Sequence, residues 1–208
     1  MSIDESSIEV LKKCAEKKSP VFFSSNGCDI VFQTIVLKAF DSKMILKNGV
    51  QPRYISSVVN SKEFYLQSNM LRFVSESIES NGCDIIFPFE NMRVIEETRQ
   101  AERFPFETTE NVFAEFVNPM DEETTIKHPI MDMSSTGISI KVNPDSQLYS
   151  SGRQFPDLQV RINEQNYFQT KGTIVYRRPF FNLQGNLFAQ VGIKFENPVK
   201  YDHEKKSN

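Results

Sequence analysis

From residue 20 onward the chain reads as short β-rich stretches cut by turn residues, and few architectures accept that pattern. Asn-Gly pairs stand at 26–27 and 81–82. They are strong hairpin signals because both residue types tolerate the left-handed backbone that tight hairpin turns require. Between the turns lie "SKMILKNG", "KEFYLQS", "NMLRFVSES" and "CDIIFPF" in the first half, then "NVFAEFV", "TIKHPIMDM", "GISIKV", "DLQVRIN", "YFQTKGTIVYRR" and "NLFAQVGIKF" in the second. Composition agrees: 18 Phe, 6 Tyr and no Trp, with many Val and Ile, favour a pleated surface over a helix. The 208 residues suffice for one large domain or two small ones. Short strands at regular spacing predict closed or sandwiched antiparallel sheets.

One segment departs from the pattern. In "DESSIEVLKKCAEKK" Ile8, Leu11 and Ala15 recur at helical spacing, acids lead and lysines gather at the end, which predicts a helix over 4–18 stopped by Pro20. A near-repeat, "SSNGCDIVF" at 24–32 and "ESNGCDIIF" at 79–87, raises the possibility of a duplicated Cys/Asp site. The flanks differ, however: a helix precedes the first copy and an alternating strand the second. Two hairpins sharing one turn chemistry is the preferred reading, with the cysteines as small strand residues that are buried or half-buried.

Several function classes are disfavoured. A formal net charge of −3 gives no general attraction to DNA, RNA or an anionic membrane, so any bound anion needs a local cluster of positive charge. The acidic N-terminus lacks the basic and apolar regions of a signal peptide, and no apolar run reaches the length of a membrane helix. Three cysteines without CxxC spacing fit reduced thiols, and the expected location is cytoplasmic. With two histidines, His128 and His203, a His-based metal site or nucleophile–His pair is not expected. No Gly-rich phosphate loop, HExxH or GxSxG occurs, and Asp121, Glu122 and Glu123 read as a solvated turn. The expectation is a non-enzyme with no metal and no cofactor.

Two motifs carry chemistry. "RQAERFP" sets Arg99 and Arg103 four apart just before Pro105, which forces Phe104 toward extended geometry and keeps the pair on a connector or at a helix end. Alone, they fit a solvated linker pairing with Glu96, Glu97 or Glu102. "DMSSTGIS" places Asp132, Ser134 and Gly137 in a D-x-S-x-x-G arrangement between two β stretches. Short polar side chains there can bond backbone or ligand, and Gly137 permits positive φ or close approach of a ligand. Alone, this too describes an ordinary turn between strands.

Together, and in this order, R-x-x-x-R, D-x-S-x-x-G and the later "VGIKF" at 191–195 resemble the PilZ domain over residues 97 to 197. The resemblance implies a β-barrel that binds cyclic di-GMP. Arg99 and Arg103 would form a clamp folding over the ligand, and Asp132, Ser134 and Gly137 would contact a guanine from the barrel side. Arginine's planar fork suits both a guanine edge and a phosphate. One departure is that Thr98 and Gln100 flank Arg99, where many members carry a second arginine beside the first, so stoichiometry stays open. The first half resembles the N-terminal barrel of flagellar-brake (YcgR-type) proteins, with its opening helix, the strand in "MLRFVSES" and the closing "CDIIFPFENMRV".

The expected fold is therefore mainly β: two small antiparallel β-barrel domains in tandem with an N-terminal helix. Residues 1–95 form a YcgR-like split barrel, 96–200 the PilZ domain and 201–208 a charged tail. The expected function is a cyclic di-GMP receptor that changes its interdomain arrangement on binding. It would regulate a protein partner such as flagellar motor or exopolysaccharide machinery, in motility or surface behaviour. The alternative is a degenerate PilZ-fold scaffold that acts through protein contacts without nucleotide.

Overall fold

The computed structural model describes residues 3–68, 71–95, 104–106 and 110–200. The class is mainly β with an N-terminal helix, as expected. The chain divides into two compact units, Met1–Thr98 with Pro179–Leu187, and Arg99–Arg178 with Phe188–Asn208.

The first unit opens with α1 (Glu5–Glu16), capped by the Asp4 carboxylate, which accepts from the Ser7 N–H at 2.8 Å. Leu11 is fully buried, and Ile8, Cys14 and Ala15 pack against the same core. The strands are β1 (Pro20–Ser25), β2 (Cys28–Ala39), β3 (Lys43–Lys47), β4 (Phe64–Gln67), β5 (Arg72–Ser75), β6 (Glu79–Ser80), β7 (Asp84–Pro88) and β8 (Met92–Ile95), with the short helix α2 (Ile55–Val59) after β3. Antiparallel pairing runs β8-β5-β4-β1-β2-β3-β7-β6 and does not close on itself among the described residues. α2 was not anticipated, and β8 overlaps the end of "CDIIFPFENMRV" and the start of "RVIEETRQAERFP", a stretch that by its charge reads as a connector.

The Asn-Gly copies serve different ends. Asn26-Gly27 joins β1 to β2, and a Cβ on Gly27 would lie 2.5 Å from Ser61 Oγ and 2.7 Å from the Ser57 carbonyl, so glycine is needed for close approach to α2 and the turn that follows it. Gly82 has φ +90 and open space around it, so there glycine is needed for the turn conformation. The cysteine expectation needs one correction: Cys28 is half-buried at the start of β2, but Cys83 is exposed in the turn before β7. Cys28 and Cys83 are both free thiols, and among the described residues no group of His, Cys, Asp and Glu could hold a metal ion.

The second unit contains β9 (Phe104–Pro105), β10 (Val112–Val117), β11 (Thr125–Ser134), β12 (Gly137–Val142), β13 (Gln154–Ile162), β14 (Gln165–Phe181) and β15 (Leu187–Phe195). The order β13-β10-β11-β12-β15-β14 returns to its start because β13 also pairs with β14. This ring surrounds an apolar core that includes Phe116, Ile130, Met133, Ile140, Leu158, Val160, Val191 and Ile193. His128 lies half-buried beside Tyr149, its Nε2 hydrogen-bonded to the phenol; burial lowers the imidazole's pKa and pushes the phenol's up to about 12.

The stretch "RRPFFNLQGN", which reads as a turn of the second domain, behaves differently. β14 continues through Pro179 to Phe181, and the hairpin 179–187 counts with the first unit. There Phe180 and Phe181 run parallel to Val31 and Phe32. Phe181 is buried and stacks on Phe32 with ring centroids 5.8 Å apart at 7°. Tyr54 completes the cluster at 5.7 Å. This core is therefore built from segments far apart in sequence, and aromatic burial of this kind dominates local stability. Phe181→Ala should destabilise the first unit by about 3–5 kcal/mol, the usual loss for a buried Phe truncation. Urea unfolding of the full chain measures it, and a loss below about 1 kcal/mol would mean that the hairpin is not part of that core.

Candidate functional site

Asp132 owes its position to an irregularity in β11. Along an unbroken strand, residues two apart face the same side, so Ile130 and Asp132 would both point into the core. The pairing with β12 instead shifts register between Ile130↔Ile140 and Asp132↔Ser139, the signature of a β-bulge. Ile130 and Met133 both enter the core, and Asp132 emerges on the other side, opposite Ser139. The bulge also provides an attachment point. Pairing of β10 with β11 ends at Phe113↔Pro129, and β9 takes over beyond it, with Phe104 opposite Met133 and Pro105 opposite Asp132. The Phe106 N–H then donates to the Met131 carbonyl at 2.9 Å.

Around Asp132 lies a chain of hydrogen bonds across four strands. Ser139 Oγ donates to Asp132 Oδ2. Gln190 Nε2 donates to Ser139 Oγ at 3.0 Å and reaches Asp132 Oδ2 at 3.4 Å. Gln190 Oε1 in turn accepts from Arg178 Nε at 2.8 Å. Because a guanidinium can only donate, Arg178 fixes which end of the amide faces Asp132. Ser139 is 0% exposed and Gln190 3%, although both lie on the face opposite the core residues that flank them.

Beside this chain, the Tyr176 ring lies on Gly192, where an added Cβ would meet it at 2.1 Å. The Arg178 guanidinium carbon is 5.7 Å from the same ring centroid, and Lys141 Nζ sits 3.5 Å from that of Phe188. The face thus combines a carboxylate, two cations and flat rings. Such a set can bond and stack on a planar heteroaromatic ligand that also carries negative charge.

The structure brings Asp132, Ser134 and Gly137 together at one turn, with different partners. Ser134 is buried; its hydroxyl donates to the Gly137 carbonyl at 3.3 Å and accepts from the Thr136 N–H at 3.3 Å, closing the turn. Gly137 pairs with Ser134 and Lys194, and a Cβ there would lie 2.4 Å from the Ile193 carbonyl oxygen. Its lack of a side chain serves strand approach, not a positive φ. Arg99 and Arg103 lie outside the described residues. Sequence reasoning missed Ser139, Gln190, Arg178 and Tyr176. The available signal was a polar residue recurring on the outer positions of apolar strands, as in "GISIKV" and "FAQVGIKF". Among the described residues no group of His, Cys, Asp and Glu could hold a metal ion, and no helix is long and apolar enough to cross a membrane.

No family model matches the chain, and no curated protein matches it. Solved structures do. MrkH of K. pneumonia in complex with c-di-GMP has a TM-score of 0.66 at 12% identity, covering 99% of this chain and 89% of that one. A second structure of MrkH, described as a c-di-GMP dependence transcription regulatory factor, has a TM-score of 0.65 at 10% identity, covering 99% and 87%. YcgR from Escherichia coli in complex with c-di-GMP has a TM-score of 0.52 at 13% identity, again covering 99% and 87%. At these identities the likeness speaks for architecture: the fold of this chain is that of the YcgR-like, PilZ-type proteins.

Proposed function

We propose that this chain is a non-enzymatic, cytoplasmic receptor for cyclic di-GMP, binding it between the segment that carries Arg99 and Arg103 and the face that carries Asp132. One observation carries the reading. Phe104 and Pro105, which directly follow Arg103 in the sequence, pair with Met133 and Asp132. The chain that directly follows the arginines is thereby paired beside the carboxylate. The fold supports it as well, since MrkH and YcgR were both solved in complex with c-di-GMP.

In this reading Arg99 and Arg103 offer bidentate forks to phosphate or to the guanine O6/N7 edge. Asp132 accepts from the guanine N–H donors, and Ser134 and Gly137 shape the turn that presents it. Arg103→Ala and Arg99→Ala should each weaken binding about 5- to 150-fold, the equivalent of a lost bidentate contact of roughly 1–3 kcal/mol. Isothermal titration with cyclic di-GMP measures it. Unchanged affinity in Arg103→Ala would sink the clamp, and no binding by the parent would favour a scaffold that works without nucleotide.

The proposed output is a change in the arrangement of the two domains, read by a protein partner in motility or surface behaviour. The arginines stand in the sequence just after the first unit ends at Thr98, so capturing them on the Asp132 face restricts that connection. A ligand shifts a conformational equilibrium only through its differential affinity for the two states, and here the arginine contacts supply the difference. Net charge −3 argues for a protein partner over nucleic acid. Small-angle scattering should change at saturating cyclic di-GMP; superimposable curves from fully bound protein would exclude the rearrangement.

A further inference from the structure

We infer that Gln190, together with Ser139 and Arg178, positions the Asp132 carboxylate for ligand, so that base recognition in this chain depends on a hydrogen-bonded relay outside the D-x-S-x-x-G motif. The inference rests on the cyclic di-GMP reading above and adds the residues that tune that site.

The geometry gives the relay a direction. Arg178 Nε donates to Gln190 Oε1 at 2.8 Å, which turns the amide nitrogen toward Ser139 and Asp132. Ser139 has one proton to give, and it goes to Asp132 Oδ2; its oxygen then accepts from Gln190. Each member therefore has its donor and acceptor roles assigned by the next, back to a guanidinium that has only one role to play. Two donors converge on Oδ2, which fixes both the rotation of the carboxyl group and the direction its other oxygen faces.

Burial makes the arrangement consequential. Ser139 is fully buried and Gln190 nearly so. At such depth an unpaired polar atom is costly, which favours a single arrangement over several. An exposed Asp without these partners would sample several rotamers and lose entropy on binding. The relay instead holds it in the form the ligand meets.

The test is a double-mutant cycle on the full chain, read by isothermal titration with cyclic di-GMP. Gln190→Met keeps the side-chain length and removes the amide; Ser139→Ala removes the hydroxyl and serves if Gln190→Met fails to fold, as judged by circular dichroism and thermal melting. Each should weaken binding about tenfold in the parent, the scale of one hydrogen bond to a charged group. In an Asp132→Ala background the same substitution should change affinity less than about twofold, because its effect passes through Asp132. A residue that merely supports the sheet would weaken binding equally in both backgrounds, and that result overturns the inference. So does undiminished affinity of folded Gln190→Met in the parent. If the parent itself does not bind, the receptor reading falls and this inference with it.

Discussion

The β-bulge between Ile130 and Asp132 puts a carboxylate on the outside of a strand whose alternation would otherwise bury it. A buried, unpaired carboxylate would cost several kcal/mol, so the bulge is what makes an acidic residue compatible with this core. The same extra residue supplies the Met131 carbonyl, which accepts from Phe106. One local irregularity thus aims the candidate ligand contact and anchors the chain that follows the arginines.

From that point the site is organised by complementarity of donors and acceptors. Asp132 is met by Ser139 and Gln190, Gln190 by Arg178, and the aromatic face beside them by the Arg178 and Lys141 cations. The Ser134 turn and the glycine at 137 allow β12 to approach β15 closely enough for these strands to stay in register. The motif residues consequently divide their labour: Asp132 faces the relay, while Ser134 and Gly137 hold the backbone that carries it.

Much of the architecture was legible because its causes are local. The helical stripe of Ile8, Leu11 and Ala15 and the strand runs of the second half all became the elements their periodicity predicts. What escaped depends on long-range pairing. The stretch "RRPFFNLQGN" reads as a turn, yet β14 runs through Pro179 to Phe181, whose burial depends on Phe32 and Tyr54 far away in sequence. β8 was partly hidden because Arg93 and the acids that follow look like connector, whereas its strand character comes from pairing with β5. At the site, Asp132, Ser134 and Gly137 stood out by spacing. Gln190 and Ser139 did not, since a lone polar residue in an apolar strand gains meaning only when the neighbouring strand is known.

The central claim is that the Asp132 face and the arginine segment enclose one ligand site. A crystal structure of the full chain with cyclic di-GMP tests it most directly. The account predicts a guanine within hydrogen-bond distance of Asp132, the Arg99 and Arg103 guanidinium groups on the same ligand, and the Gln190–Ser139–Asp132 bonds intact. A ligand seated elsewhere, or one bound at this face with both arginines turned away from it, would contradict the account.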